Sequence, residues 1–436
     1  RLCFSLKCYF ALKTLSKFTR MLSQTDRLSN LPSQIIGIIL GFLSISDAVR
    51  TSVLSRTWRY RWNEMQQLVF GYGFFFELRS RIKPLEPCRV IDIILSDVLL
   101  FHSGTLEKVY LSLALLKSYR SGLDRLIRFI ALKGVQDLTL SLWSEKYNEL
   151  LYLPSVLFVN SHLQSLDLSS FIFRTPSSFT GFEKLVKLHF RNVSIESTFF
   201  ESFVGKCPNL KKIVVLECIS TSACSISIDA PNLVYFHYEG PYYYVSFRNV
   251  PQLKNVYLFG ERSNYKDLTF SPEMGHLKAL KHLSIDFQFI NCRRKPNFFA
   301  GCLVSLVSLD AYDVPLEHEN ASMNLFELIN HSPSLERLEI TLRSNSNDGD
   351  LSKGLQILKA NKACFASMKK TVEVVISEFG GNMLEMELVR YLLSNLSSLK
   401  KMRIRSTCKD ADEHVVLLKK ISRFRRASHV GEIYYE

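Results

Sequence analysis

The sequence predicts an α/β chain in three parts: a short helical module near the N-terminal end, a long array of parallel-strand repeats, and a small α/β unit closing the far end. Three observations predict it. The pattern L-x-x-L-x-L, with other apolar residues allowed, recurs ten times between Leu106 and Ile340. Residues 31 to 49, "LPSQIIGIILGFLSISDAV", crowd Ile35, Ile36, Ile38, Ile39, Leu40, Phe42 and Leu43 behind a helix-permitting proline. Beyond the polar "RSNSNDGD", strand-like and helical stretches alternate to the end.

The repeats begin at Leu106 ("LEKVYLSL"), Val135, Leu163, Leu185, Leu210, Leu233, Leu253, Leu280, Leu306 and Leu335 ("LERLEI"), at spacings of 29, 28, 22, 25, 23, 20, 27, 26 and 29 residues. That range is the leucine-rich-repeat range. Each unit reads as a short strand with a return segment. No unit can bury its leucines alone, so stacked strands form a parallel sheet with a continuous core, a solenoid. Because side chains alternate along a strand, the third, fifth and seventh positions of each pattern face outward. Fifth positions supply candidate substrate-binding residues Tyr110, Asp167, His189, His237, Tyr257, Asp310 and Glu339. Charge on this face is nearly balanced. Asp137, Asp167, Glu239, Asp286, Asp310 and Glu339 stand against Lys108, Lys187, Arg191, Lys212 and Arg337. A phosphate backbone wants a clustered basic track, so a polypeptide is the expected partner and nucleic acid is not.

The 436 residues are 47% hydrophobic and 22% charged, values for a folded chain with a sizeable core. The longest apolar run, Ile35 to Ile45, is too short for a bilayer, and no membrane partner is expected. Of the net charge of +14, the first twenty residues carry five positive charges and no acid, which leaves +9 for the rest. Residues 1–21 read as a leader outside the fold, with Met21 as the start of the chain proper and an organelle-targeting peptide as the alternative. The ten cysteines include no CxxC pair, and Cys218 with Cys224 or Cys292 with Cys302 lack metal-ligand spacing. Reduced, buried thiols in the cytoplasm or nucleus are the expectation.

In the N-terminal module, a helix from Pro32 is followed by a second, capped by Ser46 or Asp47, and by "SRTWRYRW" with Trp58, Tyr60 and Trp62. Three short helices cannot enclose that many large apolar side chains. Something else must cover the remainder, either the repeat array or a second protein. Residues 69–105 read as a helical linker, with "IDIILSDVLL" a short amphipathic helix capping the array.

"DRLSNLPSQIIGIILGFLSISDAVRTSVLSRTWRYRW", residues 26–62, resembles the F-box of plant F-box proteins. "CPNLKKIVVLEC" and "APNLVYFHYEG" resemble the repeats of the plant F-box, leucine-rich-repeat and FBD-containing family, and "RFRRAS" with "EIYY" resembles its FBD tail. The resemblance covers residues 22–436. It implies an F-box at 22–68, leucine-rich repeats at 106–343 and an FBD-like domain at 344–436. It further implies that the F-box docks on a Skp-type adaptor, and through it on cullin and RING subunits of a ubiquitin ligase. By position, the implied adaptor-contacting residues are Leu31, Pro32, Ile35, Ile36, Ile39, Leu40, Leu43, Val49, Leu54 and Trp58. Some of these must form the module's own core, and sequence does not separate the two roles. Arg61 stands where the family usually has an apolar residue.

No nucleophile elbow, zinc-protease helix, Walker loop or dinucleotide fingerprint occurs. His318 and Glu319 read as a solvated loop, and "GPYYYVSFRNV" reads first as core packing and second as a binding cluster. The expected function is therefore non-catalytic, without cofactor or metal: substrate recognition for a Skp-cullin-F-box ligase. A leucine-rich-repeat scaffold or receptor acting without a ligase is the alternative.

Overall fold

The computed structural model describes residues 30–71, 73, 74, 76, 94–114, 120–143, 150–220, 225–240, 244–260, 277–290, 301, 303–343, 351–408 and 410–436. The leader, most of the linker, and Cys224, Cys292, Cys302, Tyr242 and Tyr243 lie outside them. Two compact units divide the chain, residues 1–199 and 200–436.

The first unit opens with α1 (Ser33–Gly41) and α2 (Ile45–Arg50), then 3-10 turns at Thr51–Val53 and Trp58–Glu64. Pro32 sits just ahead of α1, and its carbonyl accepts the Ile35 and Ile36 amides at 2.9 and 3.1 Å. The second cap differs from the sequence expectation. Ser44, with extended backbone, accepts the Asp47 amide on Oγ at 3.1 Å, while Ser46 is buried. The reason is that α1 stops at Gly41, so the chain leaves and re-enters helix two residues earlier than "SISD" suggests.

Strands β1 (Gln67–Phe70), β2 (Lys108–Ala114), β3 (Asp137–Trp143), β4 (Leu151–Tyr152), β5 (Ser165–Ser169), β6 (Phe171–Phe173), β7 (Lys187–Arg191) and β8 (Ser194–Ile195) follow, with α3 (Arg120–Leu132) between β2 and β3. Neighbours β1-β2-β3-β5-β7 form one parallel row, and β4-β6-β8 form a smaller one on the return legs. The helix expected within residues 91–100 is a single π-helical turn, Ile94–Leu99, with Ile94, Val98 and Leu99 buried. Gln67 ties the helical module to β1, its amide donating to the Gly41 carbonyl at 2.7 Å. A Cβ on Gly41 would lie 3.0 Å from that amide nitrogen, so the glycine permits the close approach.

The second unit begins within α4 (Ser197–Gly205). It continues through β9 (Lys212–Leu216), β10 (Ile219–Ser220), β11 (Ser225–Asp229), β12 (Tyr235–Gly240), β13 (Tyr244–Asn249), β14 (Asn255–Gly260), β15 (His282–Asp286), α5 (Phe287–Ile290), β16 (Ser308–Val314), α6 (Glu319–Asn330) and β17 (Arg337–Leu342). The C-terminal stretch adds α7 (Leu351–Ala360), α8 (Ala363–Ser367), β18 (Glu373–Phe379), α9 (Met383–Asn395), β19 (Lys401–Ser406), α10 (Ala411–Ser422) and β20 (Glu432–Tyr435). Its parallel row runs β9-β12-β14-β15-β16-β17-β18-β19-β20.

Register is fixed by the pattern's fourth position. Ile213, Phe236, Val256, Leu283, Leu309, Leu338, Val374 and Met402 lie opposite one another, all buried. A one-residue slip would turn this whole set to the outer face, so burial specifies the pairing strongly. Strand starts are stitched the same way each time. Glu336 and Arg337 amides both donate to the Val307 carbonyl, Val372 and Glu373 amides to Glu336, and Lys400 and Lys401 amides to Val372. The eighth position also recurs: Ser170, Asn192, Glu217, Asp313 and Glu378 all take positive φ, between 49° and 66°. A left-handed residue directly follows β5, β7 and β9, and one interrupts the pairing register near the end of β16 and of β18.

The C-terminal unit is thus built as further repeats rather than as a separate sheet. Thr371 occupies the leucine place. It is buried, with its hydroxyl donating to the Leu335 carbonyl at 2.8 Å. Of the remaining expectations, Phe247 packs in the core edge-to-face on Phe236, at 5.2 Å. His318, with extended backbone, immediately precedes α6, its ring 5.7 Å from Phe287, and Glu319 is the first residue of that helix. Cys207, Cys218 and Cys364 are buried and in no disulfide among the described residues, and burial pushes the Cys364 thiol up to about 12.

Candidate functional site

Two surfaces carry the residues singled out in the sequence. The first is the helical module. Helix α1 is apolar on nearly every side, so packing alone assigns its faces. Ile36 and Leu40 point inward and are buried with Ile45, Ala48, Val49, Trp58 and Trp62. The outer residues stay in solvent: Phe42 is 86% exposed, Leu54 62%, Ile38 58% and Ile35 42%. Ile35, Ile38 and Phe42 fall at i, i+3 and i+7, one stripe of the helix. Of the implied adaptor-contacting residues, Ile36, Leu40, Val49 and Trp58 therefore form the module's own core. Ile35, Leu54 and Pro32 are exposed, and Leu31, Ile39 and Leu43 are half-buried. Ile38 and Phe42, with Val53 and Tyr60, are outward apolar residues that the position-by-position reading left out. Ile38 and Phe42 also overhang a groove of about 740 Å³ whose opposite wall includes Gln66, Gln136 and Gln164. Arg61 pairs with Glu64 at 3.1 Å, and both line the same groove.

The second surface is the outward face of the sheet. In the first unit, Tyr110, Thr139, Asp167 and His189 lie opposite one another. The His189 imidazole Nδ1–H donates to Asp167 Oδ2 at 3.0 Å. In the second unit the fifth-position row is Val214, His237, Tyr257, Ser284, Asp310, Glu339, Val375, Arg403 and Tyr434. Aromatic rings run across it. Tyr257 lies 5.2 Å from Tyr235 and 5.5 Å from His237, Phe259 lies 5.6 Å from both His237 and Tyr312, and Lys212 stands over Tyr235 at 4.6 Å.

Acids follow on the next strands. Arg337 meets Glu339 at 2.6 Å, Glu373 at 3.6 Å and Asp310 at 3.8 Å, while Ser284 donates to Asp310 at 3.0 Å. Burial raises the Tyr312 hydroxyl above its ordinary range, helped by the Asp310 and Glu339 charges and opposed by Arg337. Burial and Tyr257 raise Tyr235 similarly. Three outward positions are not reading positions. Ser284 and Val214 are buried beneath their neighbours, and Asp286 turns its carboxylate to the backbone amides of Gly260 and Phe289 at 2.6 and 3.2 Å. Tyr235, Phe259, Tyr312 and Arg337 were missed by a list confined to fifth positions. The third and seventh positions of the same pattern carry them.

Among the described residues no group of His, Cys, Asp and Glu could hold a metal ion, and no helix is long and apolar enough to cross a membrane. What the geometry offers is binding surface.

Stacked parallel strands with buried leucines, behind a small helical module that keeps apolar residues outside, define a leucine-rich-repeat protein with a helical module ahead of the repeats. Comparison with known proteins sharpens the class. The F-box domain matches residues 28–68, and the family described as FBD-associated F-box protein At5g56370, LRR repeats, matches residues 123–288. The F-box/FBD/LRR-repeat protein At1g13570 of Arabidopsis thaliana is 26% identical over 94% of this chain and 98% of its own length. The putative F-box protein At3g29830 of the same plant is 26% identical over 73% of this chain and 77% of its own. Among solved structures, an internalin of Listeria monocytogenes overlaps 72% of this chain and 94% of its own, at a TM-score of 0.32 and 13% identity. The chain carries an F-box domain followed by leucine-rich repeats, and its relatives are plant F-box/FBD/LRR-repeat proteins.

Proposed function

We propose that the chain is the substrate-recognition subunit of a Skp-cullin-F-box ubiquitin ligase. In this reading the helical module seats a Skp-type adaptor, which links to cullin and RING subunits, and the outward face of the repeats holds a protein substrate. The observation that carries the reading is the unspent apolar surface of the F-box match, with Ile35, Ile38, Phe42 and Leu54 in solvent. Covering one such side chain contributes about 1.5–3 kcal/mol, so a partner that seats several gains enough for stable docking. The chain needs no catalytic group of its own. It raises the effective concentration of substrate lysines near the charged E2 enzyme by holding both on one scaffold. Nucleus, cytoplasm or both are the compartments this role implies.

The test is co-expression with a Skp-type adaptor and purification through a tag on this chain. Wild type brings the adaptor with it. The double variant Ile35→Asp with Leu54→Asp loses the adaptor while its thermal unfolding stays close to wild type. Retention of the adaptor by this variant, or no adaptor with wild type, favours the alternative of a scaffold working outside a ligase.

A further inference from the structure

The outward face of β12 to β17 carries a strip of aromatic rings that, among the described residues, stays partly in solvent. Tyr235, His237, Tyr257, Phe259 and Tyr312 are each half-buried and meet in tilted and edge-to-face contacts, so each keeps part of its ring surface in solvent. Rings held by their neighbours lose little freedom on binding, which is the makeup of interface hot spots. The charge beside the strip selects the occupant. Three carboxylates, Asp310, Glu339 and Glu373, surround the single guanidinium of Arg337, which leaves an excess of two negative charges on a partly desolvated surface. Of the flanking cations, Lys212 stands over the Tyr235 ring, Lys401 stands over Tyr434, and Arg405 meets Glu436 at 3.7 Å, while Arg403 lies two strands beyond Glu339 on the same outward row. Arg337 itself shows that a guanidinium fits among these acids.

We infer that this face seats a cationic side chain, arginine or lysine, from an extended segment of the protein substrate, with the cation between the Tyr257 and Tyr312 rings and the Asp310 and Glu339 carboxylates. The inference rests on reading the repeats as the substrate-binding part. A cation over an aromatic face is attracted by the ring quadrupole, and nearby carboxylates add to it. The molecule as a whole carries +14 and repels a cationic peptide. At physiological salt, however, screening confines each charge to roughly 8 Å, so the local acids decide.

The test uses the full chain and a fluorescein-labelled Gly-Ser nonapeptide bearing three arginines, against the same peptide with neutral citrulline at those places, read by fluorescence anisotropy. The arginine peptide binds about tenfold tighter or better than the citrulline peptide, and Glu339→Gln weakens it at least about fivefold. Tyr257→Leu weakens it too, whereas Asp167→Asn, on the outward row of the first unit, leaves it unchanged. Thermal unfolding of each variant separates a lost seat from a lost fold, which matters most for Glu339, whose side chain is 15% exposed and paired with Arg337. Equal affinity for the two peptides, no binding of either, or indifference to both Glu339→Gln and Tyr257→Leu overturns the inference. None of these outcomes touches adaptor co-purification, so a failed cation seat and a failed ligase reading are told apart.

Discussion

The helical module and the repeat sheet are both rich in leucine and isoleucine, yet they dispose of them in opposite ways. Along the sheet each repeat presents to its neighbour the surface its neighbour presents to the next, and the fourth-position row is buried from Ile213 to Met402. Self-complementarity removes the need for a partner, since every unit is covered by another of the same kind. In the module, α1 has no copy to stack on. One side packs on the turn that carries Trp58 and Trp62, and the other keeps Ile35, Ile38 and Phe42 in water. Repetition buries apolar surface within the chain, whereas α1, apolar on nearly every side, leaves part of it in solvent.

The sharpest way to break this contrast is to remove a ladder residue. Leu309→Ala leaves a cavity within the sheet core and is expected to cost about 2–5 kcal/mol, as for buried leucines generally. Leu309 is fully buried between Leu283 and Leu338, so the loss is shared with both neighbouring repeats. Denaturant unfolding measures it. A loss near zero would mean that the row is not a cooperative core.

A smaller effect tests how the module is joined to the first repeats. His102 is buried, with its Nε2–H donating to the Met65 carbonyl at 2.6 Å, and its own carbonyl accepts from Lys133 at 2.9 Å. Burial holds the imidazole below its ordinary 6.5, with Lys133 adding to the effect and the Met65 bond opposing it. Folding therefore disfavours protonation here. The stability this residue contributes is complete above about 6.5 and falls as pH drops through that value toward the lowered one. His102→Gln keeps a donor for Met65 but does not titrate, so its stability is flatter across the same window. Parallel pH curves for the two proteins would remove His102 from the junction.

Legibility in the sequence followed the same contrast. The repeat frame could be read because leucines at fixed intervals mean one thing, and strand alternation then assigns inside and outside without further information. Where a repeat departs from leucine the reading weakens: Thr371 takes the first position, satisfied by the Leu335 carbonyl, so the strand after it looks like part of a different domain. In α1 the difficulty is the reverse. When nearly every position is apolar, periodicity carries no direction, and only the packing of Trp58 and Trp62 shows that Ile36 faces in and Ile35 out. The aromatic strip was written in the pattern's third, fifth and seventh positions together. It is invisible along the chain because its members stand about twenty to fifty residues apart and meet only when strands pair in register.

The smallest expected change is the one that bears most on the module. Ile35→Ser alters an exposed side chain at a site where serine is a tolerable helix residue, so the isolated chain should keep its stability within about 0.5 kcal/mol. With a Skp-type adaptor present at about a hundred times its dissociation constant, wild type gains about 2.7 kcal/mol by mass action, and the variant gains measurably less. Thermal unfolding with and without adaptor separates the two contributions in one experiment. If the variant were destabilised alone and stabilised by adaptor to the same extent as wild type, Ile35 would belong with Ile36 in the module's core, and the outer stripe of α1 would not be the surface held in reserve for a partner.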